Sequence, residues 1–374
     1  MKILFTGGGT GGHFYPIIAI SEEIREITKE QKLLAPKLYY MAPTPYNPRE
    51  LFDHEITFIR TPAGKMRKYF SIRNFFDLFK TGFGIIGAVV NIFFIFPDVI
   101  FGKGGYVSFP ALVAAKLFGI PVIIHESDSV PGRVNLWAGK FAVRVALSYK
   151  EAGKYFKEDK IAVTGNPVRK DITNPVSSGA YEYLELEKDI PVILILGGSQ
   201  GAVLINEAII DTLPRLVEKY QIIHQTGKNN INEVKNTADV VLAGSDFKNR
   251  YKPFDYLNSL ALRMSAGVAQ IVISRGGSTI FEIAEWGLPS ILIPITNSNG
   301  DHQRQNSYNY ARFGAAEVIE ESNLSPEIIF SEIERILGNK ALNDKMRAAA
   351  KGFSHPKAAR TIAQEIINIA LKHE

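Results

Sequence analysis

The 374-residue sequence contains no cysteine, and its first apolar stretch is short, breaking into glycine after Phe5. Without cysteine there can be no disulfide framework, thiolate nucleophile or zinc–thiolate site, a composition that suits a reducing cytosol. The short apolar start is not expected to act as a signal peptide. Concentrated Lys/Arg runs and nucleic-acid-binding motifs are also lacking, so a nucleic-acid partner is not expected.

The composition is that of an ordinary soluble globular protein, with 46% apolar and 22% charged residues. The length allows two domains. The net charge of +5 and a pI of about 9.0 form a mild basic excess. That excess favours an anionic partner without identifying it.

Short apolar runs alternate with helical patterns through the first half of the chain. Such runs, rich in β-branched residues, predict a parallel sheet covered by helices on both faces. The predicted strands are 2–6, 37–42, 56–60, 98–101, 121–125, 143–147 and 160–164, and the first predicted helix is 14–29.

The pattern stops in the polar, turn-rich stretch 165–189, which is typical of a linker, and then restarts. Residues 191–209 repeat the strand, glycine turn and helix of the N-terminus, and further strands are predicted at 221–225, 270–274 and 290–294. The sequence therefore predicts two doubly wound α/β domains, 1–164 and 165–354, whose ligands lie at the carboxyl ends of the strands, in a cleft lined by both glycine turns. The amphipathic C-terminal segment 355–374 is expected to pack back on the first domain.

The glycine turn GGGTGGH near the N-terminus raises the question of a dinucleotide site, since Gly7, Gly9 and Gly12 fit the G-x-G-x-x-G spacing. An NAD site would need an acidic residue after the second strand, where the sequence reads YYMAPTPYN. The paired glycine turns instead favour phosphate-type ligands held by main-chain N–H groups at helix N-termini. A tight strand–helix turn without a ligand is the simpler alternative.

His13 follows this turn in the first turn of the predicted helix. A lone histidine is usually structural. A helix N-terminus disfavours the imidazolium, so a neutral imidazole is expected there, as a general base requires. The position favours catalysis over a structural role.

The stretch SRGGSTIFEIAEWGLP (274–289) places glycines and hydroxyl residues between a strand and a helix. Thr279 and Glu282 have the spacing of a capping box, which is a purely structural interpretation. The functional interpretation is a phosphate held by the main-chain N–H groups, with Glu282 accepting both hydroxyls of a ribose. That arrangement would bind a nucleoside diphosphate.

An ordered set of motifs along nearly the whole chain resembles the MurG family of bacterial peptidoglycan synthesis. The motifs are GGGTGGH (7–13), FGKGGYVSFP (101–110), HESDSVPG (125–132), GNPVR (165–169), GGSQGA (197–202), RGGSTIFEIAEWGLP (275–289) and DHQRQN (301–306). The resemblance implies the GT-B arrangement of two Rossmann-like α/β domains facing a cleft. It also implies a hexosyltransferase that moves N-acetylglucosamine from UDP-N-acetylglucosamine to a lipid-diphosphate-linked N-acetylmuramyl-pentapeptide.

The resemblance also implies a set of donor-binding residues. Glu282 would hold the ribose and Asp255 would lie at the uracil; Arg169 and the hydroxyl residues would lie near the diphosphate. Gln303 and Asn306 would lie at the sugar, and the N-terminal turn would complete the site, with the acceptor diphosphate cradled there. The full set is Thr10, Gly11, Gly12, Asp128, Arg169, Ser199, Asp255, Ser278, Thr279, Ile280, Glu282, Gln303 and Asn306.

The chain departs from the family pattern His-Glu-Gln-Asn at His125–Asp128. The family's asparagine contacts the donor sugar, whereas Asp128 can accept but not donate an amide hydrogen bond. The implied product is a β-linkage formed by inversion, with an oxocarbenium-like transition state. His13 is the first candidate base and Glu126 and Asp128 are reserves. Neither a metal nor a cofactor is expected, because helix N-termini and Arg169 can stabilise the leaving UDP.

One segment bears on a membrane partner. Ile72, Phe75, Phe76, Phe79 and Phe83 fall on one helical face, and basic residues surround it (Lys65, Arg67, Lys68, Arg73, Lys80). The run 82–96 has 15 residues, short of the ~20 needed to span a bilayer. A buried helix is expected for 85–96. For 65–83 a buried helix and a surface on anionic lipid are both open, and a lipid-linked acceptor favours the membrane, at the cytoplasmic face of the inner membrane.

The sequence leaves other functions open: another GT-B sugar-nucleotide enzyme, such as a 2-epimerase or another lipid glycosyltransferase, or a nucleotide-sugar-binding subunit. A sugar-nucleotide 2-epimerase or hydrolase would release product without an acceptor. A nucleotide-sugar-binding subunit would bind the donor without turnover.

Overall fold

The structure is a computed structural model that describes residues 1–65, 72–198, 202–296 and 299–373. Within these ranges the chain forms two compact units. Unit 1 comprises Met1–Arg169 and His355–Glu374, and unit 2 comprises Lys170–Ser354. The division falls between Arg169 and Lys170, rather than between Thr164 and Gly165 as expected from the sequence.

Strands and helices alternate along both units. The strands are β1 Lys2–Thr6, β2 Lys37–Ala42, β3 Ile56–Arg60, β4 Val99–Gly102, β5 Val122–Glu126, β6 Arg144–Leu147, β7 Ile161–Val163, β8 Val192–Leu196, β9 Gln221–Gln225, β10 Tyr251–Phe254, β11 Ala269–Ser274, β12 Ser290–Leu292 and β13 Ala316–Val318. The helices are α1 Gly11–Glu30, α2 Pro48–Asp53, α3 Ile72–Ile95, α4 Phe109–Phe118, α5 Arg133–Ala138, α6 Lys170–Thr173, α7 Ala180–Tyr183, α8 Val203–Lys219, α9 Ile231–Val241, α10 Ser259–Val268, α11 Thr279–Trp286, α12 His302–Arg312, α13 Pro326–Leu337, α14 Lys340–Phe353 and α15 Ala358–His373.

Unit 1 is built on a parallel sheet with the strand order β3-β2-β1-β4-β5-β6-β7. The order reverses between β1 and β4, and ligands of open α/β sheets bind at such a reversal, outside the carboxyl ends of the strands. Helix α1 covers one face because Ile17, Ile20, Ile24 and Ile27 recur at helical spacing and are fully buried. The C-terminal helix α15 packs against α1 in the same core.

Unit 2 repeats the plan, with parallel strands in the order β10-β9-β8-β11-β12-β13. The reversal lies between β8 and β11, whose carboxyl ends lead into the glycine turns at 197–198 and 276–277. Both sheets are therefore doubly wound, as the sequence predicts.

Sequence reasoning missed two strands, β10 and β13. Both are edge strands of four and three residues. Strand β10 contains Pro253, which has no N–H to donate to a neighbouring strand, and a proline in a short run counts against predicting a strand there. The stretch 165–189 is also not a simple linker: α6 and α7 pack on α10, with Ile172, Ala180 and Leu184 buried in unit 2.

Helix α3 corrects the expectation of a buried helix at 85–96. Ala88 and Ile92 join the core of unit 1 with α4. Yet large apolar side chains on the opposite side stay exposed along the whole helix: Phe75, Phe76, Leu78, Phe79, Phe83, Ile86, Val90, Phe93 and Phe94. The stretch Asn74–Ile95, with a mean hydropathy of 1.9, is long and apolar enough to cross a membrane by length and composition alone. Of the basic residues expected around it, 67 and 68 lie outside the described residues.

Candidate functional site

The glycine turn of unit 1 joins β1 to α1 at the strand-order reversal. Thr10 is the N-cap of α1, and Gly11 and Gly12 are its first residues. Gly7, with a φ of 148°, has no room for a side chain, because a Cβ there would lie 2.7 Å from Lys103 Cβ. The turn therefore lies directly on the residue that follows β4.

His13 is half-buried in the first turn of α1, as the sequence predicts. Its Nδ1 lies 2.9 Å from the hydroxyl of Thr10. Its Nε2 faces the turn after β4, since a Cβ placed on Gly105 would lie 3.9 Å from it. Thr10 thus orients the ring, and Nε2 lies beside the turn after β4 at the strand-order reversal.

Glu126, the second catalytic candidate, is only 4% exposed at the end of β5. Its Oε1 accepts from Asp128 N at 3.0 Å, and its Oε2 accepts from Gly132 N at 3.1 Å and Asn135 Nδ2 at 2.9 Å. Burial, and then the nearby Asp128 carboxylate, raise the pKa of Glu126 to about 7 against these donors. A carboxyl group that accepts from two main-chain N–H groups of its loop and from Asn135 of α5 organises that loop, so the geometry argues against Glu126 as a substrate-contacting base.

Asp128 is half-buried in this loop, and the loop is anchored by a residue that sequence reasoning left without a role. Lys103, 1% exposed, donates to the hydroxyl of Ser127 and lies 2.8 Å from His125 Nδ1 and 3.2 Å from Asn166 Oδ1. The only sequence signal for it was a lysine placed between a buried strand and a glycine pair.

Arg169 lies in unit 1 and is 6% exposed. Its guanidinium is 3.9 Å from the ring centroid of Tyr15, and its Nη1 donates to Glu50 Oε1 at 3.2 Å. Glu50 in turn faces His54 Nε2 at 3.5 Å. The Glu50 carboxylate therefore competes for the guanidinium with the phosphate that the resemblance implies for Arg169.

In unit 2 the structure rules out the capping box at Thr279 and Glu282. Helix α11 has Ser278 as its N-cap, in helical conformation and with no side-chain capping bond, so Thr279 is already the first helical residue. Glu282, Ser278 and Thr279 are all half-buried. The first N–H groups of a helix have no acceptor within the helix and carry partial positive charge, which suits an anion at this turn.

Helix α12 packs against the same glycine turn and is hydrogen-bonded to it. Asn306 is 1% exposed and its Nδ2 donates to Gly276 O at 3.4 Å. A Cβ on Gly276 would lie 2.3 Å from Gln303 O, so α12 touches the turn. The side chain of Gln303 accepts from Ile295 N at 3.2 Å. Asn306 therefore supports the turn, while Gln303 stands at the start of α12 beside it.

The remaining donor-binding candidates, Ile280, Asp255 and Ser199, differ in their exposure to solvent and in whether the structure describes them. Ile280 is fully buried in a core cluster with Leu292 and Tyr310, so its side chain cannot contact a ligand. Asp255 is exposed just after the edge strand β10, and its carboxylate accepts from Tyr256 N at 2.7 Å. Ser199 lies outside the described residues.

Comparison with known proteins identifies the class to which this fold and these turns belong. Residues 3–147 match the glycosyltransferase family 28 N-terminal domain, and residues 192–362 match the glycosyltransferase family 28 C-terminal domain. The chain therefore belongs to glycosyltransferase family 28, and within it to the MurG group, and has the two-domain α/β fold of the GT-B type.

A curated relative from Bacillus cereus is 34% identical over 369 residues, covering 98% of this chain and 99% of that protein. It is named UDP-N-acetylglucosamine--N-acetylmuramyl-(pentapeptide) pyrophosphoryl-undecaprenol N-acetylglucosamine transferase 2. The crystal structure of Acinetobacter baumannii MurG has a TM-score of 0.72 at 25% identity, over 98% of this chain and 99% of that one. A putative UDP-N-acetylglucosamine 2-epimerase from Listeria monocytogenes, with a TM-score of 0.73 at 17% identity over 98% and 96% of the two chains, shares the fold alone.

Proposed function

We propose that this chain transfers N-acetylglucosamine from UDP-N-acetylglucosamine to a lipid-diphosphate-linked N-acetylmuramyl-pentapeptide, a step of bacterial peptidoglycan synthesis that serves cell shape and division. The observation that carries the proposal is the near-full-length identity of 34% to a relative with that name. The geometry of both glycine turns supports it, because each offers helix N-terminal N–H groups to a diphosphate.

We assign donor binding to unit 2. The diphosphate would bind at Ser278 and Thr279, where α11 begins, and Glu282 in the first turns of that helix would accept the ribose hydroxyls. The uracil would lie near Asp255, and Gln303 at the start of α12 would reach the sugar. Asn306 acts indirectly by holding Gly276, since its own amide is buried.

We assign acceptor binding to unit 1. The turn at Thr10, Gly11 and Gly12 would hold the acceptor diphosphate, and His13 Nε2 would take the proton from the attacking hydroxyl. The contact with Thr10 Oγ1 engages Nδ1, so Nε2 is the ring nitrogen that we assign to the acceptor hydroxyl. Attack from the face opposite UDP inverts the anomeric centre and gives a β-linkage without a covalent enzyme intermediate. Asp128 remains the reserve base.

Peripheral membrane contact at the cytoplasmic face completes the proposal, and helix α3 supports it. Its exposed apolar face carries phenylalanines from Phe75 to Phe94, while Ala88 and Ile92 on the other face belong to the core of unit 1. A helix held in an α/β core by one face cannot leave it to span a bilayer, so it would lie in the interface with lipid. The exposed Lys65 and Lys80 would face anionic headgroups.

Vesicle flotation tests the membrane contact. We expect the protein to float with anionic vesicles, and the double variant Phe76→Glu/Phe79→Glu to lose at least about tenfold in partitioning, because each buried phenylalanine is worth about 1.5–3 kcal/mol. Phe52→Glu is the matched control, since Phe52 is 82% exposed and belongs to α2 and not to α3. Equal flotation of both variants would refute the assignment of α3.

The transfer itself is tested by incubating the protein with UDP-N-acetylglucosamine, with and without a pentapeptide acceptor on a short prenyl diphosphate. UDP release only with acceptor is expected. Release without acceptor would establish the epimerase or hydrolase alternative, and donor binding without turnover would establish a binding subunit. His13→Ala should lower kcat by a factor on the order of 100 or more with little change in donor affinity, and an unchanged rate would eliminate His13 as the base.

A further inference from the structure

Lys103 is a fully buried cation at the place where the strand order of unit 1 reverses. It directly follows β4, and its main-chain N donates to Thr6 O of β1 at 2.8 Å. Its side chain lies beneath the glycine turn, against Gly7. Buried lysines are rare because removing an ammonium from water is costly unless all of its N–H groups are satisfied.

The ammonium has three N–H groups and three uncharged acceptors: His125 Nδ1, Ser127 Oγ and Asn166 Oδ1. A lysine ammonium only donates, so His125 must accept through Nδ1 and carry its proton on Nε2, which donates to Gly165 O at 3.1 Å. Burial, and then the Lys103 charge, hold the pKa of His125 well below its usual range, which keeps this tautomer neutral.

The three acceptors come from two separate segments. His125 and Ser127 lie in the stretch that carries Asp128, and Asn166 lies three residues before Arg169. Lys103 therefore ties the end of β4 to the two segments of unit 1 that carry Asp128 and Arg169, the donor-binding candidates implied by the family resemblance. The carboxylates of Glu126 and Asp128 act on it through space and oppose the effect of burial on its pKa.

We propose that Lys103 is a positioning residue for sugar transfer: its buried ammonium fixes the 125–128 loop and the 165–169 segment, and thereby holds Asp128 and Arg169 in place for the donor. The inference rests on the proposed function. Lys103 itself is buried under the glycine turn and does not touch substrate.

The test replaces Lys103 by methionine, which keeps the length of the side chain and removes the charge and donors. We expect Lys103→Met to lower kcat/KM for UDP-N-acetylglucosamine at least about tenfold, with the acceptor KM changed less than about twofold. Lys140→Met, at an exposed lysine of unit 1, is the matched control and should behave as wild type. Equal kinetic constants for the two variants would overturn the inference.

A pH profile separates positioning from mere support of the fold. Burial lowers the pKa of Lys103 to about 8 against Glu126 and Asp128. The charged form is therefore lost as the pH rises through 8, and wild-type kcat/KM should fall there. The other titratable groups facing this network are His125, Glu126 and Asp128 from β5 and its loop, and His13 from α1, which acts on His125. Because these groups remain in Lys103→Met, a fall that they caused would persist in the variant. A fall near pH 8 that Lys103 causes should be lost in Lys103→Met, and a fall identical to wild type would refute the proposal.

If Lys103→Met does not fold, Ser127→Ala carries the test, because it removes one acceptor and leaves the ammonium. It should lower donor kcat/KM in the same direction by a smaller factor, and wild-type kinetics would overturn the inference. Failure of the proposed function is distinguishable: it would appear as absence of transfer by the wild-type protein, before any variant is compared.

Discussion

Substitution of Gly276 tests whether helix α12 is packed against the glycine turn at 276–277, where we place the donor diphosphate. A Cβ at this position would lie 2.2 Å from Ser307 Oγ and 2.3 Å from the main-chain oxygen of Gln303, whereas ordinary contacts begin at 3.4 Å. Ser307 can rotate away, but the carbonyl oxygen belongs to helix α12. Gly276→Ala must therefore move α12 and the turn apart by about 1 Å.

Two measurable effects follow from that displacement. Overpacking costs about 1–3 kcal/mol, so the thermal midpoint of unit 2 should fall by several degrees. The shift also moves Gln303 away from its position beside the turn, and a misplacement of about 1 Å can cost about 100-fold in rate. We expect a fall of about 10- to 100-fold in kcat/KM for UDP-N-acetylglucosamine.

Gly277→Ala is the control for packing, because nothing lies within 4 Å of a Cβ there. Thermal unfolding followed by circular dichroism should show a lower midpoint for Gly276→Ala alone, and calorimetric titration with UDP-N-acetylglucosamine measures the donor affinity. If Gly276→Ala unfolds and binds like wild type, α12 is not held against the turn, and the assignment of Gln303 to the sugar loses its support.

Three further predictions concern single side chains. Thr10→Val should lower kcat about tenfold without changing donor affinity, because it removes the hydrogen bond at 2.9 Å that orients His13; a wild-type rate would show that His13 needs no such partner. Glu282→Gln should weaken UDP binding about tenfold and abolish discrimination against 2′,3′-dideoxy-UDP in calorimetry, and retained discrimination would remove Glu282 from the ribose. The hydrogen bond to Glu50 raises the pKa of His54 despite burial, with Glu22 adding to it. That stabilisation is complete below the unfolded pKa near 6.5 and is lost as the pH rises through the higher folded value, so His54→Gln should lower the thermal midpoint more at pH 6 than at pH 8.5; an equal loss at both would contradict the ion pairs.

Much of the fold was predictable because its signals are local. Continuous β-branched runs such as 2–6 and 221–225 identify buried parallel strands, and helical spacing of isoleucines identifies α1. The glycine turns were recognisable for the same reason, since the glycines at 7–12 and 276–277 are neighbours in the sequence. Edge strands such as β13 were missed because three residues at the border of a sheet carry almost no pattern.

Roles that depend on distant partners were not predictable. No local pattern distinguishes Glu126 as a loop-organising carboxyl group from a catalytic base. Its three donors do so, two from the following loop and one from α5. Thr279 and Glu282 fit a capping box by spacing, and only the helix start at Thr279, with Ser278 as the N-cap, excludes it.

The sequence alone determined the two parallel domains, the glycine turns and the family, because these follow from patterns of neighbouring residues. The tertiary structure decided where charges lie: it buried Lys103 among acceptors 22 to 63 positions away and paired Arg169 with Glu50, 119 positions away. Burial and electrostatic partners are set by chain segments that meet only on folding, so no local pattern can encode them.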